Sequence, residues 1–477
     1  MKISNQQIGK NKQNGLVLLV LVIMIFLAVS SYYLTSISVT EIKVDNIKRT
    51  QFALKQAKQA LLSYAVSRAD LTAPSAQPGR YGFLPCPANI SSTNNTGDGT
   101  SVGSCNASKL NTVGWFPWKS LSIQPLRDGN NDCLYYAVSG SYKTNPEAGM
   151  LNEDSYGMLQ VVDADGVEMP GSADEDRVVA IIFSAGEATN SQTRDFLSGT
   201  ECGYDNSANS SDPENYLDSL EVSPGDTVDN SDIEEITADS VDRFVNAPSI
   251  ANEDVMNDRL ITITRDEVWQ VILARSDFDK KMENLTNALA MCLAAYANQA
   301  DNSSRRLPWP VITNLSGADF REQDSYQDDD GATGGYSGRY PFNIRYSNDE
   351  IDEPNMTDDE LLNTTGLCDA LDIFGDASVI VDLRTTGSEY RELWNNWKDH
   401  FFYLLSRQYA PANSGKADCS ASNDCIKIAP SNNKYAAAVI FSGRRLDSQS
   451  RSDKSLVSDY LEDGNSIEFT EEALLKA

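Results

Sequence analysis

Leu16-Val17-Leu18-Leu19-Val20-Leu21-Val22-Ile23-Met24-Ile25-Phe26-Leu27-Ala28-Val29 opens an apolar run that reaches Leu34, and no charged side chain stands between Lys12 and Glu41. As a helix this run is long enough to cross a bilayer core of roughly 30 Å. Lys2, Lys10 and Lys12 precede it, so the positive-inside bias predicts a cytoplasmic N-terminus and an exported body. A secretory signal peptide is the rival reading. The run exceeds the roughly 7–15 residues of a signal h-region, and Ser30-Ser31-Tyr32 makes a poor cleavage site.

What flanks the run decides between them. The polar, basic leader ends in Asn14-Gly15, the apolar helix starts at Leu16, and helical periodicity continues past the membrane edge through Ile42, Ile47, Phe52 and Leu54. In these features the chain resembles the type IV pilin and type II secretion pseudopilin superfamily. The resemblance implies cleavage after Gly15 by a prepilin peptidase, which also methylates the new N-terminus at Leu16. Most members carry Glu at the fifth mature position, where it neutralises the N-terminal amine of a neighbouring subunit; here that position is Val20. A buried amine without a partner is costly, so Val20 fits a subunit with no neighbour needing that contact. The K-type minor pseudopilin and PilX-like minor pilins share this departure.

A chain of 477 residues, 40% apolar, has material for two or more domains. Its formal charge of −30 repels phosphate backbones and argues against nucleic acid as a partner. Eight cysteines, Cys86, Cys105, Cys133, Cys202, Cys292, Cys368, Cys419 and Cys425, form an even set without any Cys-x-x-Cys, which in an exported chain reads as disulfides. Cys86 with Cys105 and Cys419 with Cys425 would each close a short loop; the connectivity as a whole stays open.

Thr40–Ser67 reads as an amphipathic helix, with Phe52, Leu54, Ala57, Leu61 and Tyr64 at three- and four-residue intervals. Pro74 and Pro78 end it. The Leu84-Pro85-Cys86-Pro87 and Trp115-Phe116-Pro117-Trp118 segments read as ordered turns. Strands are predicted at 134–138, 157–162 and 178–184, the last a continuous apolar run expected at the centre of a sheet. Residues 259–264 alternate and read as an edge strand, followed by a helix from Asp266. Ser207–Asp258, dense in acids and serine, reads as loop.

The second half repeats the first in its landmarks. Leu285, Leu289, Leu293 and Tyr296 parallel Ala53, Ala57, Leu61 and Tyr64, and each helix leads to a Leu-Pro-x-Pro turn, Leu307-Pro308-Trp309-Pro310 in the second case. Ala438–Ser442 parallels Ala180–Ser184, and Tyr460-Leu461 parallels Tyr216-Leu217. With the resemblance, the expected fold is α+β: a long N-terminal membrane-spanning helix followed by two tandem pilin-like heads with antiparallel sheets. The divisions are a leader over 1–15, the N-terminal helix over 16–67, a first head over 68–275 and a second over 276–477. Phe469–Leu475 should close the chain with a short helix.

Chemistry is sparse. His400 is the single histidine, which excludes zinc sites built on two or three histidines. There is no phosphate-binding loop, dinucleotide fingerprint or nucleophile elbow, and an enzyme is not expected. Trp394, Trp397, His400, Phe401, Phe402 and Tyr403 read as core. No cofactor is required, and calcium is the one ligand to weigh: Asp128, Asn130 and Asp132 alternate oxygen ligands, as do Asp163-Ala164-Asp165 and Asp328–Gly331, although none completes a 12-residue loop. The resemblance implies a minor structural subunit at the tip or in the priming complex of a pilus or pseudopilus. Its partners would be other pilin-like subunits, prepilin peptidase and the inner-membrane assembly machinery. It would sit in the inner membrane with its body in the periplasm, and at the cell surface after assembly. An adhesin or ligand-binding module on the same stalk is the competing class.

Overall fold

The computed structural model describes, apart from single residues and short gaps, residues 14–70, 78–88, 99–169, 177–189, 213–233, 241–247, 256–298, 302–310, 336–341, 380–411 and 415–462, together with 192, 194, 202 and 370–372. The apolar run forms α1 (Asn14–Ser36), and α2 (Val39–Ser67) follows. α2 buries Ala53, Leu54, Ala57, Leu61 and Ala65 along one stripe and leaves Phe52 71% exposed on another. That three- and four-residue spacing is what lets one face of a helix enter a core.

The first body is a six-stranded sheet made of β1 (Thr112–Trp115), β2 (Tyr135–Val138), β3 (Leu159–Val162), β4 (Val178–Ser184), β7 (Asp242–Val245) and β8 (Arg259–Thr264), beside a hairpin of β5 (Ser219–Ser223) and β6 (Asp226–Asp229). β4 is buried at every residue, pairing β2 on one edge and β8 on the other. The continuous apolar pattern anticipates this, because both faces of the strand are covered. Among the described residues β8 pairs only β4, as an edge strand does. Two features depart from expectation. β7 lies parallel to β3, so the sheet is not wholly antiparallel. The acidic stretch 207–258 is also partly ordered: β5, β6 and β7 supply Val222, Val228, Phe244 and Val245 to buried clusters, enough apolar area to fix a segment whose average composition is polar.

Thr264 caps α3 (Arg265–Leu273) in a reciprocal box with Glu267, and α4 (Ser276–Ala297) follows. β9 (Ser337–Arg339), β10 (Ala370–Asp372), β11 (Ile380–Asp382), α5 (Glu389–Trp397), β12 (Phe401–Leu405), β13 (Ile426–Lys427), β14 (Lys434–Tyr435) and β15 (Ala437–Phe441) complete the order. β9, β12 and β15 form one antiparallel sheet with β12 in the middle. The calcium candidate at Asp328–Gly331 and the expected helix from Phe469 lie outside the described residues.

One local arrangement recurs in the two sheets down to the register. Phe183 of β4 faces Tyr135 of β2 as Phe441 of β15 faces Phe401 of β12. β1 flanks β2 as β9 flanks β12. The Leu-Pro turn is fixed alike, Leu84 N donating to Tyr142 O at 2.7 Å and Leu307 N to Tyr409 O at 2.9 Å. Beyond each Phe-Ser end an arginine closes the loop. Arg194 donates to Gly186 O and lies over the ring of Tyr216, while Arg451 donates to Gly443 O and lies over the ring of Tyr460. Both arginines follow a Ser-Gln-x-Arg segment, Ser191–Arg194 and Ser448–Arg451. Sequence reading found the tyrosines and missed the arginines, since a lone arginine carries no periodic signal.

Between the halves, at 275/276, the core does not stop. A single hydrophobic cluster holds Leu61, Tyr81 and Trp269 together with Phe278, Trp394, Trp397 and Phe401. Trp397 meets Trp269 edge-on at 5.5 Å and Phe278 at 5.3 Å. Polar groups join there too: Asn152 Nδ2 donates to Asn396 O at 2.8 Å and Asp399 Oδ1 at 2.9 Å, and Leu151 N donates to Asn396 Oδ1 at 2.8 Å. Gly79, at φ +78°, lets the chain pass α5 so closely that a Cβ would lie 2.3 Å from Glu389 O.

Disulfides join Cys86 to Cys105, Cys133 to Cys202 and Cys419 to Cys425, and Cys292 is disulfide-bonded as well. Both expected short loops are among them. Such bonds fit an oxidising compartment; Cys368 lies outside the described residues.

Candidate functional site: the N-terminal helices, the Asp128 turn and a buried charged centre

Gly15 and Leu16 lie in the first turn of α1. From Val17 onward the helix presents apolar side chains on every side, Val20 at 50% and Phe26 at 72% exposure among them. A helix apolar all round needs a nonaqueous partner. The described side chains from Val17 to Tyr32 cover about 24 Å at 1.5 Å per residue, and among the described residues no helix is long and apolar enough to cross a membrane. The helix expected over the apolar run is present as α1, but among the described residues it does not qualify as a membrane span.

α2 is tied to the body by polar contacts as well as its buried stripe. Lys58 Nζ donates to Thr262 O at 2.8 Å and pairs with Glu267. Arg275 donates to Val66 O at 2.9 Å and Asp70 Oδ2 at 2.6 Å, fixing the helix end. Position Gly129 packs against α2 so tightly that a Cβ would lie 2.2 Å from Asn46 O, and its N–H donates to Thr50 Oγ1. The turn holding the calcium candidates is thus a docking piece for the helix.

That role occupies the candidate ligands. Asp128 is buried, and its Oδ1 accepts from the N–H groups of Asn130 and Asp132, both at 2.9 Å, while Oδ2 accepts from Ser184 Oγ at 2.7 Å and Gly186 N at 3.3 Å. Burial pushes the Asp128 carboxyl above its ordinary range, against those four hydrogen bonds. Asp132 Oδ2 takes Arg194 Nη1 at 2.7 Å, and Asn130 Oδ1 takes Asn46 Nδ2 at 3.2 Å. An Asx-type turn needs the same residues as a cation loop, and here the oxygens face protein donors. Asp163 anchors a second such turn, accepting from Asp165 N and Val167 N.

A cluster that sequence reading did not assemble lies at the seam. Asn152 folds its own loop, Ser155 N donating to its carbonyl at 3.0 Å and Asp154 N to its Oδ1 at 3.0 Å, which presents Glu153 and Asp154 to the other half. Opposite them, α5 is capped by Ser388, ends at Trp397 and turns into β12 through Lys398–His400. His400 is wholly buried. Its Nδ1 lies 2.8 Å from Asp399 Oδ1, and its Nε2 lies 3.3 Å from Asp154 Oδ2 and 4.0 Å from Glu153 Oε1 without making a hydrogen bond. Arg451 Nη1 and Arg445 N both donate to Glu153 Oε1, and Tyr460 OH donates to Asp154 Oδ2 at 2.9 Å. Burial alone would lower the imidazole's pKa, but the Asp399 and Asp154 carboxylates outweigh it and leave it raised. Burial also raises the Glu153 carboxyl, opposed by Arg451.

Of the sequence candidates, six cysteines are brought together in three pairs, Asp128, Asn130 and Asp132 share one satisfied turn, and His400 joins acids from residues 153–154. Nothing in the local sequence marks Glu153 and Asp154, because only the docked halves give them a histidine. The aromatic group Trp394–Tyr403 is core, each member at most 1% exposed. No protein-family model, no curated protein and no solved structure matches this chain.

Proposed function

We propose that this chain is a minor pilin-like or pseudopilin-like structural subunit. α1 anchors it in the inner membrane with its body in the periplasm, and it acts at the tip or in the priming complex of a pilus or pseudopilus. The observation that carries this reading is the two-part N-terminal helix: a segment apolar on all sides, then α2, which buries a single stripe beneath β4 and β8. An extraction-ready anchor followed by a helix fused to a globular head is what fibre subunits of this kind need. The recurrence of a helix, a Leu-Pro turn and an arrangement of three strands (β1, β2 and β4 in the first sheet, β9, β12 and β15 in the second) supports reading the body as two pilin-like heads, and disulfides suit the periplasm. Its partners are other pilin-like subunits, the prepilin peptidase and the assembly machinery, and its role is structural rather than catalytic.

Placement at the tip follows from Val20, which offers no carboxylate to a neighbour's amine, and from a two-headed body too bulky for a lattice of small subunits. Mass spectrometry of the mature protein should find N-methylated Leu16, and Gly15→Leu should leave the leader attached. An N-terminus beginning after Tyr32 would indicate a conventional signal peptide and overturn the reading. Immunogold label on purified fibres should appear at one end; label along the whole length would overturn the tip placement.

A further inference from the structure

We propose that Glu153, Asp154 and His400 bind one zinc-class dication, which clamps the loop before β3 to the entry of β12. The three residues come from both halves, are all buried, and each offers a ligand atom, the atoms lying within 4.8 Å of one another. His400 is prepared as a ligand. Asp399 Oδ1 lies 2.8 Å from its Nδ1, which favours a proton on Nδ1 and turns Nε2 toward Asp154 and Glu153, the carboxylate–histidine–metal arrangement of ordinary zinc sites. Nε2 itself makes no hydrogen bond although wholly buried. A lone pair 3.3 Å from a carboxylate oxygen in a buried site is repulsive unless a proton or a metal ion lies between them. Tyr460 on Asp154 and the Arg445 and Arg451 donors on Glu153 then serve as the outer partners that ligating carboxylates require.

The recurring register gives a second argument. With Phe401 at the place of Tyr135, Asp399 stands where the first sheet has Cys133 and His400 where it has Leu134. In the first sheet this entry point is cross-linked by Cys133–Cys202. In the second, a histidine and an aspartate replace a leucine and a cysteine at the same point and face two acids across the seam. A metal clamp there would do for β12 what the disulfide does for β2. One imidazole with two carboxylates suits zinc, whereas calcium takes six to eight oxygens. Zinc ligand atoms sit roughly 3.3 Å apart in a tetrahedron with bonds of about 2.0–2.1 Å; Asp154 Oδ2 already lies 3.3 Å from His400 Nε2, and Glu153 Oε1, at 4.0 Å, would close in on loading.

The test uses the full chain in detergent, stripped with a chelator and titrated with zinc chloride while bound metal and thermal unfolding are measured. Wild type should take up about one equivalent with a rise in Tm. Asp154→Asn, which keeps an acceptor for Tyr460, and His400→Gln should lose that equivalent, while Asp399→Asn should weaken it by about 10–100-fold as an outer partner. Wild type that binds no zinc at saturation with an unchanged Tm overturns the proposal. Full stoichiometry retained in both Asp154→Asn and His400→Gln also overturns it, since the acidic surface would then be the binder. Calcium uptake in place of zinc overturns the assignment of the ion's class.

Discussion

Trp269 is a buried aromatic at the seam between the two halves, and Trp269→Ala tests whether they unfold as one unit. The indole is 2% exposed, meets Trp397 edge-on at 5.5 Å, donates to Tyr142 OH at 3.1 Å and covers Gly82, where a Cβ would lie 2.9 Å from its ring. Truncating a buried Trp to Ala costs about 3–5 kcal/mol, and the aromatic pair accounts for about 0.5–1.5 kcal/mol beyond area. Tyr142 OH still donates to Ser155 O at 2.7 Å, so it adds little. A loss of about 4 kcal/mol is a large share of the 5–15 kcal/mol typical of a domain, and with a urea slope near 2 kcal/mol/M it moves the midpoint down by about 2 M. Hydrogen exchange read by mass spectrometry across a urea series, on the full chain in detergent, should show β4 and β12 losing protection together and both earlier than in wild type. If β12 and β15 stay protected at urea concentrations where β4 has opened, the seam does not couple the halves and the reasoning fails.

Three further outcomes follow from the same structure. Lys143 is buried with its ammonium on the carbonyls of Cys105, Ala107 and Leu110, and burial lowers its pKa to about 8 from 10.5. The folded state therefore sheds its proton before the unfolded state does, and stability should rise as pH climbs from about 8 to about 10.5; Lys143→Met, read by urea midpoints, should remove that rise while lowering stability at pH 7 by about 1–3 kcal/mol for the stranded carbonyls. Replacing Cys133 and Cys202 with alanine, a separation of 69, should cost about 2 kcal/mol more than replacing Cys419 and Cys425, a separation of 6, because the longer loop regains more entropy when opened; equal losses in calorimetry would contradict the loop argument. Asp128→Asn should lower stability by about 1–2 kcal/mol through the hydrogen bonds it loses, and millimolar calcium should leave the Tm of wild type unchanged; a rise in wild type that the variant lacks would restore the cation reading.

Patterns of short range were legible in the chain. The all-apolar run marked α1, the continuous Val178–Ser184 run marked a central strand, since burial on both faces leaves no room for alternation, and the spacing of Leu54, Ala57 and Leu61 marked the buried face of α2, whereas Phe52, counted in the same stripe, is 71% exposed. The repeated Leu-Pro turns and Phe-Ser ends pointed to one arrangement used twice. Asp, Asn and Gly in the 128–132 turn were legible as chemistry but not as purpose, because a turn that docks a helix and a loop that holds calcium need the same residues. Tertiary structure alone decided the rest. It set β7 parallel to β3, drew the strands β5, β6 and β7 out of an acidic stretch, and carried one core across 275/276. It also placed Glu153 and Asp154 against a histidine almost 250 positions away. No local periodicity encodes such a meeting: each acid is ordinary in its own loop, and its chemistry exists only once the aromatic seam of Trp269, Phe278 and Trp397 has excluded water from the space between the halves.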